Sequence, residues 1–169
     1  MGKRFICLLL ALTLAVGVFP VVSAAEHGVV DIVDHWAEND IIWVMDMGLF
    51  NGTSSTTFNP NGTMTRGMFV TVLGRMAGVF TDEYAGISDF EDVSPDAYYA
   101  PYVAWAAKHG ITTGTTETTF SPSALITRQQ MATFFVRYFD TFNVELEIEE
   151  EVTTVPADIE SAAPYAFAL

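Results

Sequence analysis

Cysteine is almost absent from this chain, and the single one, Cys7, sits in a stretch that is not part of a fold. It lies in an uncharged apolar run from Phe5 to Phe19, preceded by the basic Met1-Gly2-Lys3-Arg4 and followed by the small-residue pattern Val22-Ser23-Ala24. Those are the three parts of a secretory leader, so residues 1–25 read as a signal peptide and the mature chain starts near Ala25 or Glu26. The apolar run is shorter than the roughly 20 residues of a spanning helix, and no membrane span is expected after cleavage. Loss of Cys7 excludes disulfides, a thiol nucleophile and a cysteine metal site. The context Arg4-Phe5-Ile6 before Cys7 does not suit a lipid-modified cysteine, so no lipid anchor is expected either.

Positive charge is scarce too. Seven Lys and Arg stand against 21 Asp and Glu, giving a formal net charge of −14, and removing Lys3 and Arg4 takes it to −16. Nucleic acid and anionic membranes are thereby disfavoured as general electrostatic partners, and an anionic ligand must be bound locally. The three histidines, His27, His35 and His109, show no metal-ligand spacing. Ser-His-Asp and phosphate-binding Gly-rich motifs are missing, and no carboxylate pair recurs in a catalytic context, so neither an enzyme nor a cofactor is expected. Asn59-x-Asn61-Gly62 has the look of a calcium loop of dockerin type, but its equivalent, Ser121-Pro122-Ser123-Ala124, lacks the oxygen ligands and the glycine.

What the chain does have is one stretch written twice. Gly48-Leu49-Phe50-Asn51-Gly52, Phe58-Asn59-Pro60 and Met64-Thr65-Arg66 return as Gly110-Ile111-Thr112-Thr113-Gly114, Phe120-Ser121-Pro122 and Ile126-Thr127-Arg128, 62 residues later in every case. Two glycines, an aromatic, a proline and a Thr-Arg pair in fixed register make this a repeat protein. Each unit reads as helix, loop, helix.

In the first unit, Asp34 is placed to cap a helix from about His35 to Met47, with Trp36, Asp40, Trp43, Val44 and Met47 on one face and Gly48 as the terminating glycine. Its second helix follows Thr65 and is expected to bury Met68, Phe69, Val72, Leu73 and Met76. In the second unit, Ser94-Pro95-Asp96 forms a turn, Pro101 falls in a first helical turn, and the helix carries Tyr102, Val103, Trp105 and Ala106 as far as His109. Thr127 and Gln130 then make a capping box ahead of Met131, Phe134, Phe135 and Tyr138. With Met68 in the corresponding place, that box is expected to be missing from the first unit.

An acidic stretch follows, containing Glu145, Glu147, Glu149, Glu150 and Glu151, read as a solvated linker. Ala157-Asp158-Ile159 and Ala163-Pro164-Tyr165-Ala166 then restate the opening of a unit before Leu169. The resulting division is repeat 1 over 29–79, a linker over 80–89, repeat 2 over 90–142, an acidic linker over 143–156 and a truncated start of a third repeat over 157–169.

An Asp-containing opening, an aromatic-Ala helix, Gly-Ile or Gly-Leu, a second Gly, Phe-x-Pro and Thr-Arg together resemble the S-layer homology (SLH) domain. The resemblance implies a mainly α fold of tandem helix-loop-helix repeats, packed as a pseudo-threefold bundle with an incomplete third unit. It implies a secreted protein on the cell wall or S-layer of a bacterium, binding secondary cell-wall polysaccharide, often pyruvylated, in grooves between repeats. The family's Ile-Thr-Arg-Ala-Glu motif, implicated in that binding, maps onto Thr65-Arg66 and Thr127-Arg128. It departs from the family in Gly67-Met68 and Gln129-Gln130, which replace Ala-Glu.

Physical chemistry weighs these residues separately. A cation at the first position of a helix is disfavoured by about 0.3–1 kcal/mol, so Arg66 and Arg128 need a reason to be there. One reason is a bidentate site for a carboxylate beside free helix N–H groups. The other is an internal ion pair with Asp31 or Asp92, which joins those two residues to the candidate glycan site. Thr65 and Thr127 are helix caps first, with ligand contact a second role. Arg75 and Arg137 lie late in their helices, where the dipole favours a cation, and are read as stabilising. Trp43 and Trp105 are expected in the core, whereas Trp36 and Tyr98, at helix starts, are candidates for a groove wall. The competing function is a structural envelope protein that self-associates through apolar faces left open by the unfinished third unit.

Overall fold

A computed structural model describes residues 27–145. Residues 1–25, read above as a signal peptide, most of the stretch read as an acidic linker and the 157–169 segment lie outside the described residues. Among the described residues four α-helices carry the fold: α1 Glu38–Asp46, α2 Arg66–Met76, α3 Ala100–Lys108 and α4 Arg128–Phe142, with a short 3₁₀ helix, Thr81–Tyr84, between α2 and α3. The only extended pairing among the described residues is an isolated antiparallel bridge, Thr65 to Leu125. The fold is mainly α, as expected.

The helices end where the repeated glycines stand. Gly48 and Gly110 have φ of 68° and 72°, a left-handed turn that a side chain resists. Beyond them the chain doubles back, and the N–H groups of Leu49 and Ile111 donate to the carbonyls of Val44 and Ala106 at 3.0 and 2.8 Å. The start of α1 departs from the sequence reading. Asp34 does not cap it: its own φ is 59°, and its N–H donates to Glu38 Oε2 at 2.9 Å. The cap position falls on Ala37, which has no side-chain acceptor, so the helix starts at Glu38 instead of His35.

The main core does not follow the sequence units. Phe69, Val70 and Leu73 of α2 are buried against Val103, Ala104, Trp105 and Ala106 of α3, together with Tyr84, Phe90, Phe120 and Phe134. Thus α2 packs on the first helix of the next unit. Two glycines make the approach possible: a Cβ on Gly67 would come within 3.0 Å of Tyr99 Cδ1, and one on Gly74 would collide with the Tyr102 ring. Tyr84, in the segment read as a linker, is buried in this core. A second, smaller cluster holds Val29, Ile32, Ile41 and Ile42.

Several expected core residues lie elsewhere. On α1 the buried pair is Ile41 and Ile42, while Trp43 and Met47 are 59% and 58% exposed. Trp105 is buried as expected; Trp43, its repeat partner, is not. The reason is the stagger: Trp105 faces α2, the 3₁₀ segment and α4, and no α-helix among the described residues stands in that relation to α1. On α2 the buried stripe runs through Phe69, Val70 and Leu73; Met68 and Val72 are half-buried and Met76 is exposed. On α4 only Phe134 is fully buried, with Met131, Phe135 and Tyr138 packed at the edge of the core.

Candidate functional site: the groove between the repeats

Each unit uses one aspartate to fold its Phe-x-Pro loop. Asp31 accepts the N–H groups of Phe58 and Asn59 at 2.8 and 2.7 Å, and Asp92 accepts those of Phe120 and Ser121 at the same two distances. Both carboxylates thus bind backbone N–H groups of their own unit's loop. The Phe58 N–H, foremost, and the Asn59 N–H hold the Asp31 carboxyl below the usual carboxylate range against an opposing effect of burial.

The loop that Asp92 shapes then covers the start of α2. The N–H groups of Arg66 and Gly67 donate to the carbonyls of Ala124 and Pro122, both at 2.9 Å, and Ile126 N–H returns to the Met64 carbonyl at 3.1 Å. The expected pair of free helix N–H groups beside Arg66 is thus already taken, because the neighbouring repeat supplies the acceptors. Arg66 is buried at 4% exposure, its Nε donates to the Phe120 carbonyl at 2.9 Å, and its guanidinium lies over the Phe120 and Phe134 rings at 4.7 and 5.4 Å. Phe120 and Phe134 offset the electrostatic cost of a cation at that position.

Thr65 and Thr127 both cap, accepting from the N–H groups of Met68 at 3.2 Å and Gln130 at 3.3 Å. The reciprocal half is made by Gln130 Oε1 in the second unit and, contrary to expectation, by Met68 in the first, whose sulfur lies 3.5 Å from Thr65 N. A thioether is a weak acceptor, but it fills the position.

A groove of about 580 Å³ opens at this junction. Arg66 contributes from repeat 1; the loop from Ile111 to Glu117 and the side chains of Gln130, Thr133, Phe134 and Arg137 contribute from repeat 2. Hydroxyls dominate the loop. Gly114 gives it its shape, since a Cβ there would sit 2.5 Å from the carbonyls of Thr116 and Thr119. The arrangement offers cations, hydroxyls and one amide in a partly apolar cleft, which suits an oxygen-rich ligand bearing negative charge.

Of the sequence-derived candidates, Arg66 lines the groove, while Thr65 and Asp92 brace the loop beside it. Thr127 and Arg128 are exposed at the start of α4, and Asp31 does its work at the first unit's loop. Trp36 and Tyr98, 88% and 59% exposed, do not line the groove. Burial of its hydroxyl end, foremost, and then Tyr99 push the Tyr98 phenol up, with Arg75 acting in the opposite direction. Sequence reasoning missed the Thr112–Thr116 run, Gln130, Thr133 and Arg137; the helical spacing of the last two with Phe134 was the available signal. Arg137 also loses its dipole explanation. α4 continues to Phe142, so Arg137 falls short of the last turn, whereas Arg75 is in the last turn of α2.

The pattern of the S-layer homology domain matches residues 30–67 and 89–132, the two units whose Asp-clamped loops have just been described. The chain belongs to the S-layer homology family. It is similar to the surface-layer 125 kDa protein of Lysinibacillus sphaericus, 29% identical over 97% of this chain and 13% of that protein. An endoglucanase of Bacillus sp. (strain KSM-635) is 32% identical over 88% of the chain and 16% of its own length. For S-layer protein EA1 of Bacillus anthracis the figures are 25%, 93% and 18%. The SLH chain therefore spans under a fifth of these relatives. A shared segment of that size in two surface-layer proteins and an endoglucanase supports a cell-envelope anchoring module.

Proposed function

We propose that this chain is a non-catalytic, secreted anchoring module that holds to the bacterial cell wall by binding secondary cell-wall polysaccharide in the groove between its two repeats. The carrying observation is the groove itself: on a chain of net charge −14, Arg66 and Arg137 line one cleft together with a row of threonines. Hydroxyls and an amide suit sugar hydroxyls, and the cations suit a carboxylate on the polymer, such as a pyruvyl ketal. Thr65, Asp92 and Arg66 contribute by setting the loop and wall. Thr127, Arg128, Asp31, Trp36 and Tyr98 have no groove-lining role in this reading. Co-sedimentation with purified sacculi, before and after extraction of the secondary polysaccharide, tests it. Retention only on unextracted sacculi is expected; equal retention on both, or on neither, overturns the reading.

A second reading is supported by the open face of α1. Trp36, Trp43 and Met47 are exposed close together in sequence, which favours self-association of a structural envelope protein. Light scattering then gives oligomers that grow with concentration and are indifferent to polysaccharide.

A further inference from the structure

Two Asn-Gly pairs stand in the chain, both in the first repeat. Asn51-Gly52 and Asn61-Gly62 are each followed by threonine, and their counterparts in the second repeat are Thr113-Gly114 and Ser123-Ala124. Glycine after asparagine is the residue least able to hinder attack of its own backbone nitrogen on the asparagine Cγ. Both asparagines are exposed, and neither side chain has a hydrogen-bond partner among the described residues.

The two attacking nitrogens differ. Gly62 N–H donates to the Asn59 carbonyl at 2.9 Å, a turn that holds both its proton and its peptide plane. Gly52 N–H has no acceptor among the described residues. The second repeat shows why. There Thr112 Oγ1 accepts the Gly114 N–H at 3.2 Å, and the place of Thr112 is taken in the first repeat by Phe50, whose ring packs near Phe58 and offers no hydroxyl. The glycine is nonetheless imposed by the loop, since a Cβ at position 52 would lie 2.5 Å from the Thr57 carbonyl oxygen and 2.7 Å from that of Ser54. Asparagine at 51 is not imposed, because the same place holds Thr113 in the second repeat.

We infer that Asn51 is a site of spontaneous covalent modification, converting through a cyclic imide to aspartate and isoaspartate ahead of Asn61. The Gly52 nitrogen gives up its proton and bonds to Asn51 Cγ, and the side-chain nitrogen leaves as ammonia, closing a succinimide. Water then opens the ring at either carbonyl, so the net change is amide plus water to acid plus ammonia. Each event adds a negative charge to a chain already at −14. The isoaspartate branch also lengthens the main chain between Leu49, whose carbonyl accepts Arg75 Nη1, and the turn that Ser54 closes with Thr57.

Peptide mapping by mass spectrometry tests this on the full chain, incubated at mildly alkaline pH either folded or unfolded in urea. In the folded chain Asn51 should convert faster than Asn61 by roughly two- to tenfold, the range for one net backbone hydrogen bond. In urea the two should converge, because both read Asn-Gly-Thr. Equal rates in the folded chain, or a ratio that persists in urea, overturns the assignment. Isoaspartate should accompany aspartate at 51; aspartate alone means direct hydrolysis and overturns the cyclic route. A Thr113→Asn variant places the same pair where Thr112 holds the glycine N–H, and it should convert as slowly as Asn61. Conversion there as fast as at Asn51 would show that the hydrogen bond does not control the reaction.

Discussion

Arg66 donates through Nε to the carbonyl of Phe120 at 2.9 Å, a contact that joins the first residue of a helix in one repeat to the Phe-x-Pro loop of the next. The family's motif arginine is thus part of the joint between units in this protein. Asp92 shapes the loop, the loop caps α2, and Arg66 closes the connection from below. Groove and joint share residues, since Arg66 both closes the joint and lines the cleft.

Removal of Arg66 should therefore be costly to the fold. Arg66→Ala leaves the Phe120 carbonyl short of a donor in a buried site and forfeits two ring contacts, together about 3 kcal/mol. For a domain of this size that is a fall of about 10 °C in melting temperature by circular dichroism. Arg128→Ala, at an exposed site, should shift it by no more than a degree or two. Equal melting of both variants with the parent would mean that the joint is not held by this residue.

Gly74 is the other support of the joint. Its missing side chain is where the Tyr102 ring lies, so Gly74→Ala must push α2 and α3 apart despite the better helix propensity of alanine. A net loss of about 1–3 kcal/mol is expected from overpacking. Combined with Tyr102→Leu, which withdraws the ring, the second substitution should cost less than it does alone. Urea unfolding of the four proteins gives the coupling, and additivity would show that the two residues do not touch in solution.

The Asp31 clamp sets a pH dependence. Its carboxyl titrates below its unfolded value of 3.8, chiefly because the Phe58 N–H binds the ionised form. A lowered folded value means that the stabilising effect is complete above about pH 4 and is lost as the pH falls through the folded value. Asp31→Asn should melt below the parent at pH 7, and the gap should close as the pH drops under 3.8. A gap that stays constant into strong acid would show that the carboxylate charge has no part in the clamp.

How much of this was legible beforehand follows from what repetition encodes. The fixed register of Gly48 with Gly110, and of Thr65-Arg66 with Thr127-Arg128, gave the helix ends, the helix starts and one of the two cations that line the groove, Arg66. Those are local features, set by φ and by hydrogen bonds within a few residues. The partner of each face was not legible, because a repeat does not say whether a helix packs within its unit or on the next one. Trp43 and Trp105 carry the same local pattern and have opposite burial for that reason alone. Arg137 was misread in the same way: its place in the repeat matched Arg75, but α4 runs further than α2, and the end of a helix is a property of one copy.

The two tryptophans give the last expected outcome, and it also decides whether α1 is open in solution. Trp105 is 3% exposed and stacks on Phe142 with centroids 6.0 Å apart, whereas Trp43 is 59% and Trp36 88% exposed. Acrylamide should therefore quench most of the emission readily and leave a protected, blue-shifted remainder that Trp105→Phe abolishes and Trp43→Phe does not. Trp105→Ala should cost about 3–5 kcal/mol through the cavity it leaves, while Trp43→Ala should stay below about 1 kcal/mol. A Trp43 that resists acrylamide contradicts an open α1 face. If its protection then fades on dilution, a second copy covers that face, which is the self-associating reading; if it persists at every concentration, the cover comes from the same chain.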